Sequence, residues 1–306
     1  HFDLIIYSTP PITFNNVITQ LKRKNKGVHT YLLLKDIFPQ NAIDLGMLKK
    51  EGILYSFFKW KEKALYKVSD FIGCMSPANV EYLTTYNPYI DKSIVEVCPN
   101  SIFPSESMLA DQEKRHIRQQ FNIPPDIPVF IYGGNLGKPQ GVNFIVDVLN
   151  ANKSNAKAFF LIVGAGTEFS RLSQWFESNS PNNALLLEHL PKYDYDRLLQ
   201  SCDVGLIFLD HRFTIPNFPS RLLAYMDFAL PVITATDKNT DIGMIAEKNG
   251  FGLSCISGEI DDFNRHVTFM IDNPEKRKAM GKAGRKYLEE YYHVEVSYNT
   301  IMNRIK

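Results

Sequence analysis

Short apolar runs alternate with longer amphipathic segments along most of this chain, and this alternation constrains the fold more than any other feature. In the first hundred residues, apolar runs lie near 3–8, 29–34, 71–75 and 94–98, and segments with helical periodicity separate them. The same alternation resumes at residue 128. Strands that alternate with helices form parallel sheets covered on both faces. The sequence therefore predicts an α/β protein with doubly wound sheets.

A proline-rich polar segment separates the two α/β regions. Pro104, Pro124, Pro125 and Pro128 surround one helical stretch, and this composition is typical of a linker. A chain of 306 residues is long enough for two domains. We therefore predict a partial first domain over 1–103, a second domain over 104–285, and a C-terminal helix over 286–306 that returns to the first domain.

Composition and charge exclude several classes of protein. The 34 Lys and Arg residues nearly balance the 33 Asp and Glu residues, and a net charge of +1 does not favour nucleic-acid binding. The four cysteines are far apart and lack a CxxC pair, which argues against a zinc site and a disulfide scaffold. Neither a membrane span nor a signal peptide is recognisable. We expect a cytoplasmic protein with no nucleic-acid partner.

Two glycine-rich segments follow predicted strands of the second region. Residues 133–141, GGNLGKPQG, form either a phosphate-binding loop or an ordinary tight turn between a strand and a helix. Residues 164–169, GAGTEF, precede Glu188 at a spacing similar to that of a dinucleotide-binding fingerprint. Phe169 occupies the position of the third glycine, so an NAD-binding oxidoreductase is the weaker interpretation.

Two further motifs place charged side chains near predicted helix N-termini. Ser220 and Arg221 follow an irregular segment, and the arginine can bind a diphosphate or pair with a carboxylate such as Asp227. Asp194 and Asp196 match the spacing of a DxD metal motif. They open a predicted helix instead of ending a strand, and Asp194 is interpreted as its N-cap. No metal site is predicted.

One predicted helix of the first region mixes aromatic residues with lysines. Residues 54–67, LYSFFKWKEKALYK, would suit a helix lying in a membrane interface or a helix packed in a core. Residues 1–100 contain 12 Lys and Arg against 9 Asp and Glu. Peripheral contact with the inner face of the membrane through the first domain therefore stays open.

Five segments, taken in order, resemble the retaining GT-B glycosyltransferases of the group 1 (family 4) type. They are YGGNLGKPQGVNFIVDVL, LIVGAGTEFSRL, HLPKYDYDRLLQSCDVGLIFL, FPSRLLAYMDFALPVITA and NPEKRKAMGKAGRKYLEEYY. Residues 35–40 and 97–100 are similar to the acceptor domain of capsule and O-antigen amino-sugar transferases. The resemblance implies two Rossmann-like domains facing a cleft, a first domain without its leading part, and no required cofactor or metal.

The resemblance also implies an activity and a set of site residues. The activity is transfer of a hexose or amino sugar from a nucleoside-diphosphate sugar to a polyprenyl-linked or growing bacterial surface polysaccharide. By motif position, Asp36 and Arg221 would be catalytic. The residues implied in donor binding are Gly134, Asn135, Gln140, Leu190, Pro191, Ser220 and Ala224.

Two departures from the family pattern bear on activity. Asn135 and Gln140 stand where many members have arginine and lysine, so Arg221 and backbone dipoles would provide most of the charge opposite the diphosphate. The paired glutamates of the family fall on Pro216 and Ala224, and alanine cannot accept a hydrogen bond from a ribose hydroxyl. An inactive or partner-dependent binding subunit is the alternative to an enzyme.

Overall fold

The first sheet of the protein contains four parallel strands in the order β1-β2-β3-β4. Residues 2–305 are described by a computed structural model. The elements of this part are β1 (Leu4–Ser8), α1 (Asn15–Lys24), β2 (His29–Leu34), α2 (Gln40–Asp44), α3 (Ile53–Val68), β3 (Phe71–Cys74), α4 (Pro77–Tyr86) and β4 (Val95–Val97). Among the described residues, strand β1 pairs only with β2, and its Ile6 side chain is exposed. The incompleteness of the first domain stays a prediction.

The second sheet contains six parallel strands in the order β10-β9-β8-β5-β6-β7. Its elements are β5 (Val129–Asn135), α6 (Val142–Ala151), β6 (Phe159–Ala165), α7 (Phe169–Asn179), β7 (Ala184–Leu187), α8 (Lys192–Gln200), β8 (Val204–Phe208), α9 (Arg221–Asp227), β9 (Val232–Thr236), α10 (Ile242–Lys248), β10 (Gly252–Ile256) and α11 (Ile260–Asp272). The central strands are apolar and buried on both faces, as helices on both sides require. Both sheets together confirm the predicted GT-B architecture.

The strand order determines where a ligand can bind. Counted from β5, the six strands run 3-2-1-4-5-6, which is the Rossmann order. The order reverses between β5 and β8, and ligands of such sheets bind in the crevice at the carboxyl ends of those strands. The crevice of the second domain therefore lies above β5 and β8.

The segment between the sheets packs on the second domain. It contains α5 (Asp111–Gln120), whose Ile117 is buried in the core of the second domain. The Arg118 guanidinium forms an ion pair with Asp203 at 2.6 Å and also donates to the carbonyl oxygen of Ser201. These contacts attach α5 to the N-terminal ends of the second sheet, on the side opposite the crevice.

The C-terminal helices connect the two domains. Helix α12 (Pro274–Tyr291) packs on α9, and α13 (Val294–Met302) lies on the first sheet. Ile301 packs against Tyr31 and Cys98. The boundary predicted at residue 286 lies inside α12, which continues without a break to Tyr291, so the returning segment begins at Val294 instead. Among residues 2–305, no helix has the length and apolar character that a membrane crossing requires.

Candidate functional site

A cavity of about 410 Å³ lies between the two domains at the carboxyl ends of their strands. Five of the residues singled out in the sequence line it together: Asp36, Gly134, Gln140, Ser220 and Arg221. Asp36 comes from the loop after β2, whereas the others come from the end of β5, the loop that follows it and the start of α9. Residues that are far apart in sequence thus share one cavity.

Tyr225 forms hydrogen bonds to two strands of the second sheet beneath this cavity. Strands β5 and β8 pair only at Phe130–Val204 and Ile131–Gly205 and then separate. The buried Tyr225 hydroxyl accepts a hydrogen bond from the Gly133 amide at 3.1 Å and lies 3.2 Å from the Leu206 carbonyl oxygen. One side chain of α9 therefore bridges the two strands where the crevice opens.

Arg221 is the cation at the base of the cavity. Its guanidinium carbon lies 4.2 Å from the centroid of the Tyr132 ring, which gives a cation–π contact. Its Nη1 atom is buried and has no hydrogen-bond partner among the described residues. A buried charged donor without a partner is costly, and such a group in a cavity indicates an anionic ligand.

The glycine-rich segment at the end of β5 approaches Arg221 closely. The guanidinium carbon lies 3.5 Å from the position that a Cβ on Gly134 would occupy, and Gly134 has a φ of +131°. Only glycine adopts this backbone conformation without strain. Gly134 therefore lets the loop and the arginine line the same side of the cavity.

Asn135 and Gln140 stabilise the loop instead of adding charge to it. The Gln140 Oε1 atom accepts hydrogen bonds from Asn135 Nδ2 at 3.2 Å and from the Gly137 amide at 3.1 Å. Neither side chain is ionised, so the pair adds no positive charge to this side of the cavity. Arg221 supplies the positive charge at this side of the cavity.

Asp36 presents a carboxyl group from the opposite side of the cleft. Its backbone is held by Thr9, whose hydroxyl donates to the Asp36 carbonyl oxygen at 3.2 Å. Desolvation between the domains raises the pKa of the Asp36 carboxyl above its usual value, and the neighbouring Lys35 opposes this effect. No hydrogen bond to the carboxyl is made within residues 2–305, so the group is free to bind a ligand.

Contacts across the cleft hold the two sides of the cavity together. The Ser220 hydroxyl accepts a hydrogen bond from Asn100 Nδ2 at 2.7 Å. Asn79 Nδ2 donates to the Pro216 carbonyl oxygen at 2.9 Å. A small apolar cluster joins both domains beside the cavity and consists of Ile37, Leu45, Leu209, Phe213 and Ile215. The domains thus lie close together around the site.

Four of the predicted donor-binding residues do not line this cavity. The Asn135 amide turns to Gln140, Leu190 packs against the core of the second domain, and Pro191 is exposed before α8. Ala224 is half-buried on α9 and also packs against that core. Contact of these residues with a base or ribose stays a prediction.

Tyrosines around Arg221 were not predicted from the sequence. Burial raises the pKa of Tyr132, Tyr195 and Tyr225 above the usual range of a phenol, so their hydroxyl groups stay neutral. Tyr195 packs so closely on Gly133 that its hydroxyl oxygen lies 1.9 Å from the position of an added Cβ. Gly133 opposite Tyr195 and Gly205 opposite Tyr225 were the available signal.

The DxD motif and the second glycine segment have structural explanations. Asp194 and Asp196 lie inside α8, which begins at Lys192, so Asp194 is not the predicted N-cap. Asp196 pairs with Lys192 at 2.5 Å. A Cβ on Gly164 would lie 1.9 Å from the Gly134 carbonyl oxygen, so this glycine is required where β6 passes β5. Within residues 2–305, no group of His, Cys, Asp and Glu could hold a metal ion.

The fold and the cleft define the protein as one of the GT-B class. Residues 113–287, more than half of the chain, match the family described as glycosyl transferases group 1. The chain belongs to this family.

Two curated relatives are similar to the chain. The probable glycosyltransferase WbjE of Pseudomonas aeruginosa is 25% identical over 259 residues, covering 83% of this chain and 62% of WbjE. The putative colanic acid biosynthesis glycosyl transferase WcaI of Escherichia coli (strain K12) is 22% identical over 142 residues, covering 45% of this chain and 34% of WcaI. The chain thus spans less than two thirds of either relative.

Solved structures confirm the fold. The Anabaena protein Alr3699/HepE, solved in complex with UDP and glucose, has a TM-score of 0.77 at 15% identity, covering 99% of this chain and 77% of that protein. Sucrose-phosphate synthase from Thermosynechococcus elongatus has a TM-score of 0.73 at 16% identity, covering 98% of this chain and 72% of that protein. At these identities the likeness concerns the fold alone.

Proposed function

We propose that the protein is a retaining glycosyltransferase of the family 4 type that uses a nucleoside-diphosphate sugar. The observation that supports this most strongly is the buried, unpartnered Nη1 atom of Arg221 beside the glycine loop. An arginine held in this way matches the charge and geometry of a diphosphate. The proposal includes no metal ion and no cofactor.

The proposed chemistry is charge control at the leaving group. Cleavage of the bond between sugar and diphosphate builds negative charge on the leaving oxygen, and a preorganised cation stabilises that charge. Arg221 is the residue positioned for this task. Asp36 faces the cavity from the acceptor side, where its carboxyl would orient the sugar or the attacking hydroxyl. Retention follows from the family resemblance, with the leaving diphosphate oxygen accepting the proton of that hydroxyl.

The proposed acceptor is a polyprenyl-linked or growing surface glycan, and the proposed sugar is a hexose or an amino sugar. The similarity to WcaI, a putative colanic acid biosynthesis glycosyl transferase, supports this class of acceptor. We place the reaction in the cytoplasm, at the inner face of the membrane. The four cysteines are free, which agrees with a reducing compartment.

A donor panel tests the proposed function. UDP, GDP and ADP, each with its sugar conjugates, are screened by thermal shift and by release of free nucleotide. UDP is included first because the structurally similar Anabaena protein was solved with UDP and glucose. We expect one nucleotide series to raise the melting temperature and its sugar to be slowly hydrolysed. No shift and no hydrolysis with any donor would contradict the proposal.

A catalytically inactive binding subunit is the second candidate. The observation in its favour is that Pro216 and Ala224 stand at the positions of the family's paired glutamates. The two candidates differ in one measurable property, because a partner subunit without a donor site should neither bind nor hydrolyse a nucleotide sugar. Nucleotide binding without hydrolysis would support an inactive subunit that still binds the donor but does not transfer or hydrolyse its sugar.

Replacing Ala224 by glutamate is expected to tighten nucleotide binding about tenfold. A hydrogen bond between a carboxylate and a ribose hydroxyl contributes about 1.5–3 kcal/mol, and part of this is lost because Ala224 is half-buried. Titration with UDP and GDP measures the gain, and Ala224→Gln is the uncharged control. A lower melting temperature without tighter binding would mean that Ala224 does not face the ribose.

A further inference from the structure

Helix α3 is apolar on two opposite faces, and only one of them is covered. Leu65 and Tyr66 face the core of the first domain. The other face presents Ile53, Leu54, Phe57 and Trp60, with Ile53 90% exposed and Trp60 57% exposed. These four residues fall on one stripe of a helix with 3.6 residues per turn. The stripe has no partner in the described part of the chain.

The first turn of α1 and the residue before it extend this surface. Phe14 and Val17 are also exposed, and Lys61 of α3 lies 3.5 Å from the Asn15 side chain beside them. We define the aromatic patch as Phe14, Val17, Ile53, Leu54, Phe57 and Trp60. Contiguous apolar surface of this kind marks an interaction site.

Lysines surround the aromatic patch. From residue 49 to residue 67 the chain contains six lysines and two glutamates, and the buried Glu62 forms an ion pair with one of these lysines, Lys59, at 2.5 Å. Lys61 Nζ lies 4.6 Å from the centroid of the Trp60 ring. Lys49 and Lys50 are exposed a few residues before α3 and form no ion pair within residues 2–305. The border of the patch therefore has a net positive charge.

The combination of patch and border distinguishes a lipid surface from a protein partner. Lysine is depleted at protein–protein interfaces, whereas tryptophan and lysine are both enriched where a protein meets the headgroup region of a membrane. We infer that the aromatic patch binds the surface of an anionic phospholipid bilayer.

The patch lies next to the acceptor side of the cleft. Phe57 contacts Phe58, and the Phe58 ring lies 4.9 Å from the ring of Phe38, two residues after Asp36. A bilayer bound at the patch would therefore present a polyprenyl-linked acceptor near Asp36. This last step rests on the proposed function, whereas lipid binding itself does not.

The test uses the full chain and vesicles of two compositions, phosphatidylcholine alone and phosphatidylcholine with about one third phosphatidylglycerol. Trp175→Phe leaves Trp60 as the single tryptophan, because the chain has two. We expect co-sedimentation with the anionic vesicles only, weakened by salt, together with a blue shift of Trp60 emission. No sedimentation, equal sedimentation with both compositions, or unchanged emission would overturn the inference.

Paired variants separate the patch from general surface effects. Phe57→Ser with Trp60→Ser is expected to reduce the vesicle-bound fraction at least about tenfold, since two aromatic side chains no longer enter the interface. Met244→Ser with Tyr298→Ser changes equally exposed residues on other faces and should have no effect. Equal losses of the vesicle-bound fraction in the two paired variants would overturn the inference. A blue shift of Trp60 emission that appears without vesicles, through self-association of the protein, would also overturn it.

The two proposals can fail separately. Hydrolysis of a nucleotide sugar in solution should be unaffected by the Phe57→Ser and Trp60→Ser pair, because these residues lie outside the cavity. Vesicle binding without any hydrolysis would support the inferred lipid-binding patch and contradict the proposed glycosyltransferase activity. Hydrolysis without vesicle binding would support the proposed activity and contradict the lipid-binding patch.

Discussion

Binding of a nucleoside diphosphate is expected to weaken about ten- to a hundredfold when Arg221 is replaced by alanine. Charge-assisted hydrogen bonds contribute about 1.5–3 kcal/mol, and each 1.4 kcal/mol is a factor of about ten in affinity. Binding of the nucleoside without phosphates should not change, because the guanidinium faces the glycine loop of the proposed phosphate site. Isothermal titration with UDP and uridine measures both effects.

Arg212→Ala is the matched control for this substitution. Arg212 is in the same domain, pairs with Asp210 at 2.8 Å and does not line the cavity. Its loss should leave the affinity for UDP unchanged. Arg221→Lys tests geometry, since a lysine retains the charge but not the two parallel donors. Equal losses for UDP and uridine in Arg221→Ala would contradict the assignment of Arg221 to the diphosphate.

Replacing Gly164 by alanine is expected to damage both the stability and the donor site. The added Cβ would lie 1.9 Å from the Gly134 carbonyl oxygen, and this neighbour is backbone that cannot turn away. Overpacking of this kind costs about 1–3 kcal/mol. Because the strain displaces the loop beside Arg221, nucleotide affinity should also fall, by about tenfold or more. Thermal melting and titration, performed well below the melting temperature, measure the two effects.

Gly284→Ala is the control for a glycine replaced elsewhere in the second domain. Gly284 is inside α12, and its Cβ would lie 3.3 Å from Phe251 Cβ, which is tight but adjustable. The higher helix propensity of alanine stabilises the helix by about 1 kcal/mol, which offsets part of the cost of that tight contact. We expect a small change in melting temperature and unchanged nucleotide binding. A Gly164→Ala variant with wild-type affinity would show that the β5 loop does not bind the donor.

The architecture could be predicted because each strand is a local pattern. The buried strands β5 and β6 are nearly continuous apolar runs with glycines at their C-terminal ends, and helix α6 between them has apolar residues at helical spacing. The start of α8 was harder to predict. A proline can directly precede a helix, and α8 begins immediately after Pro191. Lys192 and Tyr193 are therefore its first residues, and Asp194 lies within the first turn.

Only the site residues that belong to short sequence motifs could be predicted. Gly134, Ser220 and Arg221 belong to recognisable motifs, whereas the tyrosines depend on contacts between distant elements. Tyr225 joins β5 to β8 through its hydroxyl, and no spacing in the sequence indicates that two strands will separate at that point. The mixture of aromatic residues and lysines in α3 could be recognised in the sequence. Which side of α3 is exposed depends on how the helix packs in the fold, so the sequence did not indicate it.

An experimental structure of the protein with a bound nucleoside diphosphate would test directly whether Arg221 binds the diphosphate. We expect diphosphate oxygens within hydrogen-bonding distance of the Arg221 Nη1 atom, about 2.7–3.2 Å, beside Gly134 in the interdomain cavity. Density for the diphosphate elsewhere on the molecule, with Nη1 of Arg221 still unpartnered, would contradict this expectation.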